Sequence, residues 1–155
     1  MREPKISSPV KDQTPQILEV ANKHFGYTCL RVGQAEAVAS LLQRRDTLVI
    51  QHTGSGKSAI YQIAGLMLEG VTVVVSPLIA LQKDQVDSIN ASDAPAAAQV
   101  NSVQSATENR EILQRLKVGA FEYVFLAPEQ FSKPETMREL KQAQVSLFVV
   151  DEAHC

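Results

Sequence analysis

Four short apolar runs, nearly continuous rather than alternating, constrain this chain more than any other feature. They are "TLVI" (47–50), "VTVVV" (71–75), "FEYVFLA" (121–127) and "VSLFVV" (145–150), with a weaker fifth in "AAAQV" (96–100). A strand that is apolar at successive positions is buried on both faces, as in a parallel sheet sandwiched by helices. Between the runs lie stretches with apolar residues at helical spacing, at 57–69, 78–90, about 105–117 and 134–143. Strands alternating with amphipathic helices predict an α/β fold, a parallel sheet with helices on both faces.

Two more helices are expected upstream. In "TPQILEVANKHFG", Thr14 can cap, Pro15 suits the first turn, Ile17, Leu18 and Ala21 share a face, and Gly26 can close the helix. "RVGQAEAVASLLQRR" places Ala35, Val38, Ala39 and Leu42 at a period of 3.6. The polar, Pro-containing residues 1–13 read as a flexible lead-in, neither a signal peptide nor an anchor. That leaves 14–155 as one domain, and 155 residues with 45% apolar content can form a core of their own. A formal net charge of −2 excludes a globally basic nucleic-acid binder, so any such contact must come from local groups. Cys29 and Cys155 lack metal-ligand spacing and read as reduced thiols. No apolar run is long enough to span a membrane, and no membrane partner is expected.

The first candidate site follows "TLVI". Residues 51–58, "QHTGSGKS", lie between a predicted strand and a predicted helix whose apolar face is Ile60, Ile63, Ala64, Met67 and Leu68. Strand, Gly-rich loop and helix are the context of a phosphate cradle. Gly54 and Gly56 let the backbone around Thr53 and Ser55 turn its N–H groups inward, and the helix N-terminus adds its dipole. Lys57 is placed to reach β/γ-phosphates and Ser58 to bind Mg²⁺. The strict pattern wants Gly where Gln51 stands, so the motif fails as a string and is carried by its context. The second candidate is "VVDEAH". A strand tip aims Asp151 at the carboxyl edge of the sheet, where ligands bind in open α/β folds. Asp151 can join a Mg²⁺ shell and Glu152 can orient or deprotonate a water. A bare acidic turn after a strand is the alternative, and pairing with the cradle weighs against it.

"TGSGKS", "VVVSPLIALQKDQV", "FLAPEQ" and "VVDEAHC", in this order, resemble superfamily 2 helicases, and most closely the RecQ-type DNA helicases. "HFGYTCLRVGQAEAV" resembles the adenine-recognition segment of that family, and the resemblance runs from about residue 15 to 155. It implies a RecA-like P-loop NTPase domain that uses ATP and Mg²⁺ and acts on DNA. It further implies that Tyr27 stacks on adenine, Gln34 hydrogen-bonds the adenine edge and Arg31 helps hold the nucleotide. The loop at Ser76 and Pro77, with Lys83 as a charge contact, and the 127–130 loop would face the DNA. Leu78, Ile79 and Leu81 can equally be packing residues. The chain departs from the family at Leu30, at Val32 for Pro, at Gln51-His52 for Met-Pro and at Ala64 for Pro, none of them a catalytic group.

The resemblance also implies parts not found before Cys155: a second RecA-like domain with its arginine finger, and a Ser/Thr-Ala-Thr motif. In the family, the strand leading to that motif lies between the strand before the cradle and the strand before the acidic pair. "TLVI" and "VSLFVV" are therefore each expected to face an unpaired edge, and the 155 residues to be a fragment or truncated copy that unwinds nothing. An RNA-acting DEAD- or DEAH-type helicase and a non-catalytic nucleotide- or DNA-binding remnant remain open. The expected location is the cytoplasm, with nucleoid association in a bacterium and the nucleus in a eukaryote.

Overall fold

A computed structural model describes residues 12–52 and 54–153. Thr53, His154, Cys155 and nearly all of the expected lead-in lie outside the described residues. The elements run α1 (Thr14–Phe25), α2 (Gln34–Leu42), α3 (Lys57–Met67), β1 (Val71–Val75), α4 (Ile79–Asn90), β2 (Ala97–Val100), α5 (Ala106–Leu116), β3 (Tyr123–Leu126), a 3₁₀ turn (Pro128–Ser132), α6 (Pro134–Gln142) and β4 (Val145–Val150). The described strands form one sheet in the order β2-β3-β1-β4, every pair parallel. This is the expected α/β fold.

The continuous apolar runs have their expected cause. Val73, Val124, Leu126, Ala98 and Val100 pack one face of the sheet on Leu113 and Leu116 of α5 and Leu140 of α6. Val74, Tyr123, Phe125 and Ala97 pack the other on Tyr61 of α3 and on Val86 and Ile89 of α4. α1 and α2 lean on the far side of α3 through Ile17, Ala21, Ala37, Val38, Ile60 and Ile63. Among the described residues, no helix is long and apolar enough to cross a membrane.

Local signals set most helix ends. Gly26 closes α1 in the left-handed conformation, with its N–H on Asn22 O. The expected cap at Thr14 is displaced: Gln13 is the N-cap residue, and Asp12 accepts from Thr14 N at 3.0 Å. Ser105 and Glu108 form a capping box on α5. In α4 the buried side is Gln82, Val86 and Ile89. Leu78 is exposed and Ile79 and Leu81 only half-buried, because the helix starts at Ile79 and its inward stripe begins one turn later.

The main correction concerns 47–50. "TLVI" joins no strand ladder. It runs alongside the outer edge of β4, across a cavity of about 400 Å³ that both segments line. Arg44 Nη1 reaches across to Ser146 O at 3.2 Å. Leu48 and Ile50 are each 85% exposed, Phe148 is 55% and Val150 60%. A strand buried on both faces needs a partner at each edge, and among the described residues no strand lies between the two segments. The chain is accordingly expected to self-associate with rising concentration, and Ile50→Lys with Phe148→Lys to reduce the light scattering.

α3 crosses β1 closely because Gly65 has no side chain. A Cβ there would lie 2.5 Å from Thr72 Oγ1 and 2.9 Å from Tyr123 Cε1. Gly65→Ala gains about 1 kcal/mol of helix propensity. It loses ~1–3 kcal/mol to overpacking against a fully buried Thr72. The net expectation is a Tm lowered by a few degrees in a calorimetric scan.

Candidate nucleotide site at the carboxyl edge of the sheet

The loop 51–56 connects the extended 47–50 segment to the first turn of α3. Gly54 and Gly56 have φ of +80° and +93°, values that a residue with a Cβ adopts only under strain. Gly56 is also crowded: a Cβ there would meet Gln34 Nε2 at 2.7 Å. It caps α3, so the N-terminal N–H groups of that helix open onto the loop. The buried Ser55 hydroxyl lies in the same loop without a hydrogen-bond partner. Lys57 Nζ donates back to Gln51 O at 3.1 Å and His52 O at 3.2 Å, holding the loop closed over its own backbone.

Two side chains brace this loop, Arg31 from the segment before α2 and Gln34 from its first position. Arg31 Nη1 donates to Gly54 O at 2.7 Å. Gln34 uses both ends of its amide, accepting from Arg31 N at 2.8 Å and donating to Gly56 O at 2.9 Å. Tyr27 is 37% exposed, with its ring stacked on Phe25 at 5.8 Å. Tyr27, Arg31, Gln34, Gly56 and Ser58 line one cavity of about 330 Å³, together with Gln62 of α3. Gln62 is buried and bonded to Gln85 Oε1 at 2.9 Å, a neighbour that periodicity did not single out because it lies on the far side of α3 from Ile60 and Ile63.

The acidic pair arrives from β4. Asp151 N donates to Val75 O at 2.8 Å, which extends the β1–β4 ladder to the edge of the sheet. Glu152 follows with φ of +52°, an uncommon backbone for a residue with a side chain, and its N–H donates to Asp151 Oδ1 at 3.0 Å. Asp151, Glu152 and Lys57 line the cavity between β4 and 47–50. Of the expected site residues, Lys57, Asp151 and Glu152 thus line one cavity and Tyr27, Arg31, Gln34, Gly56 and Ser58 an adjoining one, whereas Gly54 and Ser55 belong to neither lining.

The DEAD/DEAH box helicase family pattern matches residues 31–155. The chain belongs to that family. Similar curated proteins include the ATP-dependent DNA helicase RecQ of Bacillus subtilis, 45% identical over 133 residues that cover 85% of this chain and 22% of the relative. The probable ATP-dependent DNA helicase RecS of the same organism is 38% identical over 131 residues, covering 84% and 26%. The RecQ-like DNA helicase BLM of Xenopus laevis is 31% identical over 166 residues, covering 98% and 12%. The chain therefore spans less than a third of the length of such relatives, from 12% to 29%.

Two positions where the sequence departs from expectation meet in space. Gln51, where the strict phosphate-loop pattern has Gly and the resembled family Met, donates through Nε2 to Val32 O at 3.2 Å, and Val32 stands where the resembled family has Pro. The side chain ties the start of the loop to the turn before α2. In the loop that the resemblance set against DNA, Ser76 is buried, and its carbonyl accepts from Gln82 Nε2 at 2.6 Å. The exposed groups of that loop are Pro77, Leu78 and Lys83, the last paired with Asp87 at 2.6 Å. Of 127–130, Pro128 and Glu129 are exposed, and Ala127 and Gln130 are buried.

Gln34→Ala would take the side-chain partner from Arg31 N and leave Gly56 O with Ala59 N alone. Each lost bond at such a half-buried group costs roughly 0.5–1.5 kcal/mol. A denaturant midpoint lowered without a change of m-value is the expected result.

Proposed function

We propose that this chain is the ATP-binding part of an ATP-dependent DNA helicase, one that moves 3′ to 5′ on single-stranded DNA in repair and recombination. The observation that carries the reading is the meeting of Lys57 with Asp151 and Glu152 in one cavity at the carboxyl edge of a parallel sheet, in a chain of the DEAD/DEAH box helicase family. The relatives' description as ATP-dependent DNA helicases supports DNA as the polymer.

In this reading the loop from Thr53 to Ser58 cradles a triphosphate with backbone N–H groups, and the unpartnered Ser55 hydroxyl supplies a further donor. Lys57 exchanges Gln51 O and His52 O for phosphate oxygens. Ser58 and Asp151 hold Mg²⁺, whose chemistry when bound is to neutralise phosphate charge. These hard oxygen donors fit that ion. Among the described residues no three His, Cys, Asp or Glu side chains converge, which suits a cation held largely by phosphates and water. Glu152 orients or deprotonates the attacking water. Tyr27 offers its exposed ring to adenine, and Arg31 flanks it. Gln34 reads the adenine edge by releasing its present backbone bonds. Pro77, Lys83 and the 127–130 loop face the DNA. Strand separation then needs a second RecA-like domain with an arginine finger, a group worth about 10³–10⁵ in rate in related phosphoryl transfer.

The test titrates a fluorescent ATP analogue into the 155-residue chain, with and without Mg²⁺. Saturable, weak binding is expected, and Lys57→Ala should raise Kd at least about tenfold, the worth of a charge-assisted hydrogen bond. ATP hydrolysis should stay near background. Equal affinity in Lys57→Ala would sink the nucleotide reading. Robust DNA-stimulated hydrolysis would remove the need for a second domain, and stronger binding of RNA than of DNA would move the substrate.

A further inference from the structure

The two buried tyrosines of the core are treated differently. Tyr123 donates its hydroxyl to Gln62 O on α3. Tyr61 is 4% exposed, yet no well-formed hydrogen bond satisfies its hydroxyl. Its ring is well held, edge-on to Phe125 at 6.3 Å and among Val74, Val86 and Ile89. For that packing alone phenylalanine would serve better, because an unpaired buried hydroxyl costs stability.

The place of the hydroxyl suggests what it is for. Tyr61 lies one turn after Ser58 on α3, on the same side of the helix. It lines the cavity that holds Lys57, Asp151 and Glu152. Ser58 lines the adjoining cavity, so Tyr61 shares a wall with Asp151 and a helix face with Ser58. A phenol keeps its proton at neutral pH, and the hydroxyl is therefore available as a donor.

We infer that Tyr61 is a positioning residue for the cation side of the nucleotide site, its hydroxyl orienting Ser58 and Asp151 toward a divalent cation. The inference rests on the nucleotide reading above. No bond is made or broken at Tyr61. It sets the directions in which the Ser58 and Asp151 oxygens point, and thereby the gain in nucleotide affinity that Mg²⁺ confers.

The test compares the full chain with Tyr61→Phe, measuring affinity for a fluorescent ATP analogue in Mg²⁺ and in EDTA, together with Tm. In Tyr61→Phe the Mg²⁺-dependent gain should shrink by about threefold to tenfold, the worth of one hydrogen bond. Affinity in EDTA should hold and Tm should stay level or rise, since an unpaired polar atom has gone. In a Ser58→Ala background, Tyr61→Phe should remove much less of that gain. A purely structural tyrosine would instead lower Tm and both affinities together, and that result overturns the inference. So does an unchanged Mg²⁺ gain, or additive effects of the two substitutions. Failure of the unmodified chain to bind the analogue at all overturns the nucleotide reading and this inference with it, whereas binding with an unaltered Mg²⁺ gain in Tyr61→Phe overturns this inference only.

Discussion

β1 is hydrogen-bonded on both sides, to β3 and to β4, and all five of its residues are buried. The rest of the domain is arranged around that strand. Its Val73 faces the α5–α6 layer and its Val74 the α3–α4 layer, so one strand ties together both halves of the core. Its last carbonyl, Val75 O, receives Asp151 N and so delivers the acidic pair to the sheet edge. Gly65 lets α3 approach β1 and Tyr123 closely, which brings the first turn of α3 to the same edge. A polar substitution inside β1 would unseat both layers and both parts of the site at once.

The phosphate loop has a different kind of support. The segment before it joins no ladder, so side chains from its surroundings hold it. Gln34 and Arg31 grip Gly56 O and Gly54 O, Gln51 reaches Val32 O, and Lys57 closes on the loop's own carbonyls. In the proposed nucleotide site, the Lys57 and Gln34 bonds are the ones a triphosphate or an adenine would replace. A loop secured by exchangeable polar contacts, beside an open apolar cavity, can rearrange more cheaply than one fastened in a sheet.

Much of the architecture was legible in the chain because its strands are apolar at successive positions and its helices carry local end signals. "VSLFVV" forms a strand over its whole length, and "VTVVV" likewise. The misreadings have specific causes. "TLVI" has the composition of a buried strand, but strand formation needs a neighbour, and the β4 edge beside it carries none. Thr14 is the first residue inside α1 instead of its cap, which is Gln13, and Asp12 takes the Thr14 N–H, a choice among neighbouring polar groups that depends on backbone geometry. Leu78, Ile79 and Leu81 looked like packing residues until the start of α4 set the phase of its inward stripe on Gln82, Val86 and Ile89.

The site divides in the same way. The residue types for phosphate and cation chemistry, from Gly54 to Ser58 and at Asp151 and Glu152, are written into short motifs, because the chemistry demands those groups at near-fixed spacing. How they are held is not. Periodicity did not mark Gln62 as a cavity wall, nor show that the Gln34 amide is engaged at both ends. The buried hydroxyl of Tyr61, at the cavity that Asp151 lines and one turn after Ser58, was equally hidden in a helix that reads as ordinary core. By itself the sequence determined the α/β class, most of the strand and helix content and which side chains could serve phosphate and cation chemistry, because these follow from local pattern and side-chain type. Only the tertiary structure decided which strands pair, which edge stays open and which polar groups are left without partners. Those outcomes depend on contacts between residues far apart in the chain.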